Sequence, residues 1–307
     1  MWVAKWRILL WPLALLYGAG VVLRRTLYQW GIFKRWQSPM ATIAVGNLST
    51  GGTGKTPLVI ALVHRLQSKY QVATLSRGYG RTTKGFRWVN TGDSALQVGD
   101  EPLLIRQSVP DQVKVAVGEK RPLALQTMLR EAPELNTVIL DDAYQHLALR
   151  AGLYVLTTPW NRPYDQDLLL PAGNLREPRS AARSAALIVM TKCPPQLTHA
   201  QAGDARRALK ILPQQTVCFT GLQYGTPRML NHGPFDTSQP YVLVTGIADP
   251  SPLIQHLTQA GHTFETKAFP DHYTLSANDV AHLEAMARRV NPNYPQILTT
   301  EKDAVRT

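Results

Sequence analysis

Lys55 and Thr56 close a run of glycines in Gly51-Gly52-Thr53-Gly54-Lys55-Thr56-Pro57, an order of residue types suited to phosphate chemistry. Glycines let successive backbone N–H groups curl around a phosphate chain, and the start of the following helix adds partial positive charge. A lysine there reaches the outer phosphate oxygens, and the neighbouring hydroxyl can ligate Mg²⁺. The full loop pattern asks for glycine five residues before Gly54, where Ser49 stands instead. The expected phosphate cradle is therefore Ser49, Thr50, Gly51, Gly52, Thr53, Gly54, Lys55 and Thr56. A chance glycine-rich turn is the alternative, and the setting between an apolar run and a helical pattern argues against it.

An enzyme with such a loop needs an acid at the end of a neighbouring strand to orient a metal ion, and Val138-Ile139-Leu140-Asp141-Asp142 supplies one. Gln145 and His146 follow within one turn. Taken alone, the same residues also read as a strand end with a helix-capping Asp. Gly99-Asp100-Glu101-Pro102 has the composition of a helix start with Asp100 as N-cap. Arg176-Glu177 comes after Leu170-Pro171-Ala172-Gly173, a loop of the kind that carries ligand contacts in α/β enzymes, although a plain surface pair would look the same. Asp271-His272-Tyr273 also reads as a loop, where an isolated histidine is usually just solvated.

Apolar runs and helical patterns alternate around these residues. Strands are expected over 42–45, 72–76, 137–140, 153–157 and 186–191, with helices over 58–68 and 121–130. That rhythm predicts a P-loop NTPase-like α/β fold, a parallel sheet with helices on both faces and ligands bound beyond the carboxyl ends of its strands. Residues 219–239 are rich in Gly, Pro, Asn and Thr and read as a linker or short hairpin. Strand, helix, strand, helix, strand then recur over 241–245, 251–260, 263–268, 276–290 and 296–299, a second and smaller α/β lobe. The expected division is 1–36, 37–218, 219–239 and 240–307.

The net charge of +12 is unevenly spread, since 13 Lys and Arg precede the first acid, Asp93. A basic half can address nucleic acid, an anionic membrane or an acidic substrate. Its neighbours favour membrane: residues 8–23 carry no charge, Lys5, Arg7, Arg24 and Arg25 flank them, and Trp2, Trp6, Trp11, Trp30 and Trp36 cluster there. Sixteen helical residues rise roughly 24 Å, short of a ~30 Å hydrocarbon core, so a helix dipping into one leaflet is as consistent as a crossing. A buried core helix or a cleaved signal are the other readings of such a segment. Cys193 and Cys218 are too few for a disulfide framework or a zinc site, which fits a reducing compartment.

Together with Ser76-Arg77-Gly78-Tyr79-Gly80, Leu175-Arg176-Glu177 and Thr299-Thr300-Glu301-Lys302-Asp303, these boxes occur in an order that resembles the tetraacyldisaccharide 4'-kinase family across nearly the whole chain. The resemblance implies transfer of the ATP γ-phosphoryl group to the 4'-hydroxyl of a tetraacylated glucosamine disaccharide 1-phosphate, a lipid A precursor. It implies ATP and Mg²⁺ as cofactors, a glycolipid substrate, and an anionic membrane surface at the cytoplasmic face of a Gram-negative inner membrane, with no nucleic acid and no protein partner. Carried onto this sequence, it makes Lys55, Asp100 and His272 catalytic, the last two as the proton-handling pair. Thr56, Glu101, Asp141, Asp142 and Gln145 belong to the metal site, and Arg77, His146, Arg176 and Glu177 to the substrate side. Ala143-Tyr144 and Asn174 depart mildly from the family's usual Gly-apolar pair and Pro.

Overall fold

Strands buried on both faces read as unbroken apolar runs, and such runs build the middle of this protein. The computed structural model describes residues 7–230, 234–271 and 273–306. In the larger of two compact units, up to Leu222, the strands of the main sheet are β1 (Ala41–Asn47), β2 (Val72–Ser76), β3 (Arg87–Trp88), β4 (Lys114–Val117), β5 (Thr137–Leu140), β6 (Leu153–Pro159), β7 (Leu187–Thr191) and β8 (Thr216–Phe219), and Trp36–Gln37 pairs separately with Leu149–Arg150. The main-sheet strands lie in the order β8-β7-β6-β1-β5-β2-β4-β3, parallel except for the two-residue edge β3, which runs antiparallel to β4. Every residue of β2 and β5 is buried. The longer helices are α1 (Trp11–Gln29), α2 (Lys55–Leu66), α3 (Asp100–Ser108), α4 (Arg121–Glu131) and α5 (His199–Ala208).

Ala44, Leu75 and Leu140 from the sheet pack with Leu125 and Met128 of α4, all almost fully buried. Each such leucine contributes about 1.5–3 kcal/mol of burial. A second cluster gathers Leu48, Leu156, Leu175 and Ile188, which ties the segment after β1 to the loop that carries Arg176. Close approach is strictest at Gly46: a Cβ there would lie 2.5 Å from Tyr144 Cβ and 2.9 Å from its backbone nitrogen. The absent side chain lets the segment after β5 cross directly over the end of β1.

The second unit, from Gln223 onward, contains β9 (Tyr241–Thr245), α6 (Ser251–Gln259), β10 (Phe264–Ala268), α7 (Ala277–Val290) and β11 (Ile297–Thr299), in a parallel sheet ordered β10-β9-β11. Its core pairs Val242 and Val244 with Leu283 and Ala287 of α7. Within the expected 219–239 linker, one isolated antiparallel bridge joins Arg228 and Pro234 among the described residues.

The elements that escape the sequence reading include α5, β8, β3 and β4. The α5 segment buries no residue and so shows no apolar stripe, β8 is a half-exposed edge strand, and β3 and β4 span two and four residues.

Gly46→Ala should destabilise the protein by about 1–3 kcal/mol through overpacking, whereas Gly92→Ala, with nothing within 4 Å of the new methyl, should stay within about 0.5 kcal/mol of wild type. Urea unfolding of both variants checks this, and equal midpoints would show that the crossing at Tyr144 gives way.

Candidate active site

Central strand β1 ends at Asn47 and delivers the chain into the glycine loop. Gly54 takes φ +80, a conformation open to glycine, and becomes the N-cap of α2, so Lys55 and Thr56 occupy its first turn. The free N–H groups and positive end of that helix face the loop, as anion binding requires. Thr53 is fixed from three sides: its hydroxyl accepts from Asn47 Nδ2 at 2.9 Å and lies 2.9 Å from the Thr157 hydroxyl, and its carbonyl accepts from the Thr191 hydroxyl at 2.8 Å. Thr50 N–H donates to the Asn174 carbonyl at 2.8 Å and Ser49 bridges to Leu175, so the 168–177 loop clamps the cradle from outside.

Strand β5 ends in the two acids, which meet different surroundings. Asp142 sits at φ +47, a strained left-handed conformation, with Oδ1 3.6 Å from Lys55 Nζ and 3.1 Å from Arg176 Nη2. Burial works to raise its pKa, but Lys55 and Arg176 outweigh it and hold the carboxyl below the ordinary range. Asp141 is buried and its Oδ1 has no hydrogen-bond partner. Burial, with the Glu101 carboxylate second, pushes it up to about 7. Arg121 stands behind it, wholly buried, and its guanidinium donates to the carbonyls of Gly118 at 2.7 Å and Asp141 at 2.8 Å. The positive charge therefore supports the backbone of Asp141 while its carboxylate oxygen stays unpaired.

Arg176 links the strands, since Nη2 also donates to Asn47 Oδ1 at 2.5 Å. Gln145 Nε2 donates to the Asn47 carbonyl at 2.7 Å. Burial, then the charges of Arg121, Arg77 and Arg24, pushes His146 down to about 4, so it is a neutral hydrogen-bonding group at pH 7. Arg77 lines a cleft of about 810 Å³ with Tyr79, Arg81, Lys84 and Lys120.

Lys55, Asp142 and Arg176 thus come together directly, with Asp141, Glu101 and Gln145 around them. Asp100 is buried at the start of α3, but the N-cap is Gly99, at φ +93; Asp100 is the first helical residue, and its Oδ1 accepts the Glu101 N–H at 2.9 Å. The capping expectation is corrected accordingly, because the left-handed turn demanded glycine at the cap. Glu177 is 1% exposed, and its Oε2 accepts from Arg25 Nη1 of α1 at 2.9 Å. His272 lies outside the described residues. Sequence reasoning missed Asn47 and Arg121. A polar residue ending an apolar strand signals the first, and a basic residue in the first turn of a helix, against its dipole, signals the second.

Among the described residues no group of three His, Cys, Asp or Glu side chains could hold a metal alone. Mg²⁺ takes few protein ligands and completes its shell with phosphate oxygens and water, so an unpaired carboxylate oxygen beside a phosphate cradle fits that ion.

A phosphate cradle at the carboxyl end of the central strand, with acids on the next strand, defines a P-loop nucleotide-binding phosphotransferase. The family model described as tetraacyldisaccharide-1-P 4'-kinase matches residues 6–307. The chain is 39% identical to a tetraacyldisaccharide 4'-kinase of Flavobacterium johnsoniae over 98% of its own length and 87% of the relative's. It is 36% identical to one of Phocaeicola vulgatus, over 98% and 84%. A crystal structure of LpxK from Aquifex aeolicus in complex with ATP superposes with a TM-score of 0.74 at 29% identity, covering 98% of this chain and 90% of that one. The chain belongs to the tetraacyldisaccharide 4'-kinase family.

The raised Asp141 carboxyl gives a signed expectation. The folded state holds a proton there between about pH 4 and 7 that the unfolded chain releases, so this group lowers stability as pH rises through that window. Asp141→Asn, which cannot ionise, should melt a few degrees above wild type at pH 8 without nucleotide, on the order of 1 kcal/mol or more, and lose that advantage at pH 4.5. Thermal unfolding at the two pH values decides, and a wild-type advantage at pH 8 would mean that the carboxylate is already compensated.

Proposed function

We propose that this chain transfers the γ-phosphoryl group of ATP, with Mg²⁺, to the 4'-hydroxyl of a tetraacylated glucosamine disaccharide 1-phosphate, at the cytoplasmic face of a bacterial inner membrane. The observation that carries this reading is Lys55 and Arg176 converging on Asp142 at the mouth of the phosphate cradle. Phosphoryl transfer asks for in-line positioning, neutralisation of the γ-phosphoryl charge and a group to take the hydroxyl proton.

Lys55 and the first turn of α2 hold the phosphate chain. Mg²⁺, when bound, neutralises phosphate charge, and the Thr56 hydroxyl, Asp141, Asp142, Glu101 and Gln145 are the groups that would hold it. Arg77, with neutral His146 and Arg176, forms the acceptor side, and the cationic lining of the cleft beyond Arg77 suits a substrate that carries a phosphate of its own. Asp100 is the group proposed to take the acceptor proton, with His272 as the second member of the proton-handling pair. An ordinary carboxylate is a weak base at neutral pH, and a free imidazole, with a pKa of about 6.5, is a better-matched acceptor.

The helical stretch Ile8–Gln29, with mean hydropathy 1.4 over an 18-residue window, supports membrane association: its 22 residues rise about 33 Å, and Leu9, Trp11, Leu15 and Leu16 are exposed. Exposing a lipid chain to water costs about 0.8 kcal/mol per CH₂, so the enzyme must work where the four chains stay buried.

Incubation with radiolabelled ATP, Mg²⁺ and tetraacyldisaccharide 1-phosphate in detergent should yield a bisphosphorylated lipid. Lys55→Ala and Thr56→Ala should nearly abolish it without changing the melting temperature. ATP hydrolysis indifferent to added glycolipid would point instead to a nucleotide-driven switch or transporter.

Asp100→Ala and His272→Ala should each lower kcat by roughly 10²-fold or more with ATP binding retained, and the double variant should be hardly worse than the poorer single one. Losses that multiply cleanly would separate the two residues, and collapse of ATP affinity in Asp100→Ala would assign Asp100 to the metal site or to the start of α3.

A further inference from the structure

Glu177 is a buried carboxylate whose ion pair is with Arg25 of α1, at 2.9 Å, and these side chains are 2% and 12% exposed. A charge so deep is tolerated only with a partner, and removing that partner alone leaves the other ion uncompensated. One residue earlier, the Arg176 carbonyl accepts a hydrogen bond from the Tyr17 hydroxyl of the same helix at 2.9 Å. The guanidinium of Arg176 is the group that reaches Asp142 and Asn47. Helix α1 therefore holds the backbone of a residue whose side chain is in the site.

Other ties run the same way. Arg7 donates to the carbonyls of Pro171, at 2.9 Å, and Gly173, and to Asn174 Oδ1 at 3.1 Å. Arg24 donates to the Gln145 carbonyl at 3.3 Å, and Arg25 Nη2 to the Ser184 hydroxyl at 3.3 Å. At Gly18 a Cβ would lie 2.8 Å from Leu169 Cδ1, so the helix also touches the 168–177 loop backbone to side chain.

We propose that Arg25 is a positioning residue for phosphoryl transfer: by neutralising Glu177 it fixes the Arg176 backbone, so that the Arg176 guanidinium stays on Asp142 and Asn47. Seating of the N-terminal helix is then a condition for an assembled site, and Glu177 serves that seating and not the sugar. The inference rests on the kinase reading above.

The test uses the full chain, with micellar glycolipid and MgATP. Arg25→Met should lower kcat by about 10- to 100-fold, leave the KM for ATP within about twofold, and still float with phosphatidylglycerol vesicles. Arg25→Lys should recover most of the loss. Because Arg25 acts through Arg176, Arg25→Met combined with Arg176→Met should be no slower than Arg176→Met alone. If Arg25→Met melts too low to assay, Tyr17→Phe, which deletes one hydroxyl, should show a smaller kcat loss with the same non-additivity. Losses that multiply, or a loss confined to vesicle-embedded substrate and matched by failed flotation, would overturn the proposal, the second by making Arg25 an anchoring residue only. Wild-type protein that leaves the glycolipid unphosphorylated would overturn the kinase reading and this inference together.

Discussion

Asp141 and Asp142 leave the same strand side by side, with the Glu101 carboxylate close enough to disfavour ionisation of Asp141. Like charges a few ångströms apart in a partly dry site repel by a few kcal/mol, so such a cluster persists only if the surroundings deal with each member. The two aspartates are treated in opposite ways. Asp142 receives Lys55 and Arg176 and stays ionised. Asp141 is ion-paired with neither: the charges of Lys55 and Arg121 only partly offset its burial, the guanidinium of Arg121 binds its carbonyl, and its Oδ1 is left without a donor. In the free protein this is a stored cost, of the kind that binding sites tolerate because a cation with its phosphates can relieve it.

Much of the surrounding fold follows from supplying Asp142 with its second cation. Arg176 belongs to a loop between β6 and β7, two strands that lie on the far side of β1 from β5, so its side chain must cross the end of β1 to reach the acid. It passes Asn47, which accepts its hydrogen bond and uses its amide to hold Thr53 of the cradle. The same loop clamps the cradle at Ser49 and Thr50. One arginine thereby couples the end of β1, the glycine loop and the end of β5, and beside it the segment after β5 passes β1 so closely that a Cβ on Gly46 would crowd Tyr144.

What was legible in the sequence was local. The glycine loop, β1, β2 and β5 announce themselves because residue type and position within a short segment decide their conformation, and Lys55 with Asp141 and Asp142 could be placed from those segments alone. The helix expected over 58–68 starts three residues earlier, because Lys55, Thr56 and Pro57 look like loop although they form the first turn after a glycine cap. Long-range pairing was not legible: nothing in Leu175-Arg176-Glu177 says that one side chain turns to Asp142 and the next to Arg25, 152 positions earlier in the chain. Arg121 was hidden for a related reason, since its partners are two carbonyls, and carbonyls leave no trace in residue type.

The N-terminal helix inverts the usual arrangement of a surface helix, which turns its apolar stripe inward and its charges to water. In α1 only Ala14 and Gly18 are buried, the large apolar residues Trp11, Leu15, Leu16 and Leu23 are exposed, and the inward ties are those of Tyr17, Arg24 and Arg25. The hydrophobic effect therefore does little to hold this helix on the rest of the protein; close backbone packing at Ala14 and Gly18 and a few charged hydrogen bonds do that work. Bonds of that kind are weak in water and strengthen as the local dielectric falls. If the exposed face is covered by lipid, the environment that removes the apolar surface from water also strengthens the grip on the Arg176 loop, and membrane attachment and assembly of the site draw on the same change of surroundings.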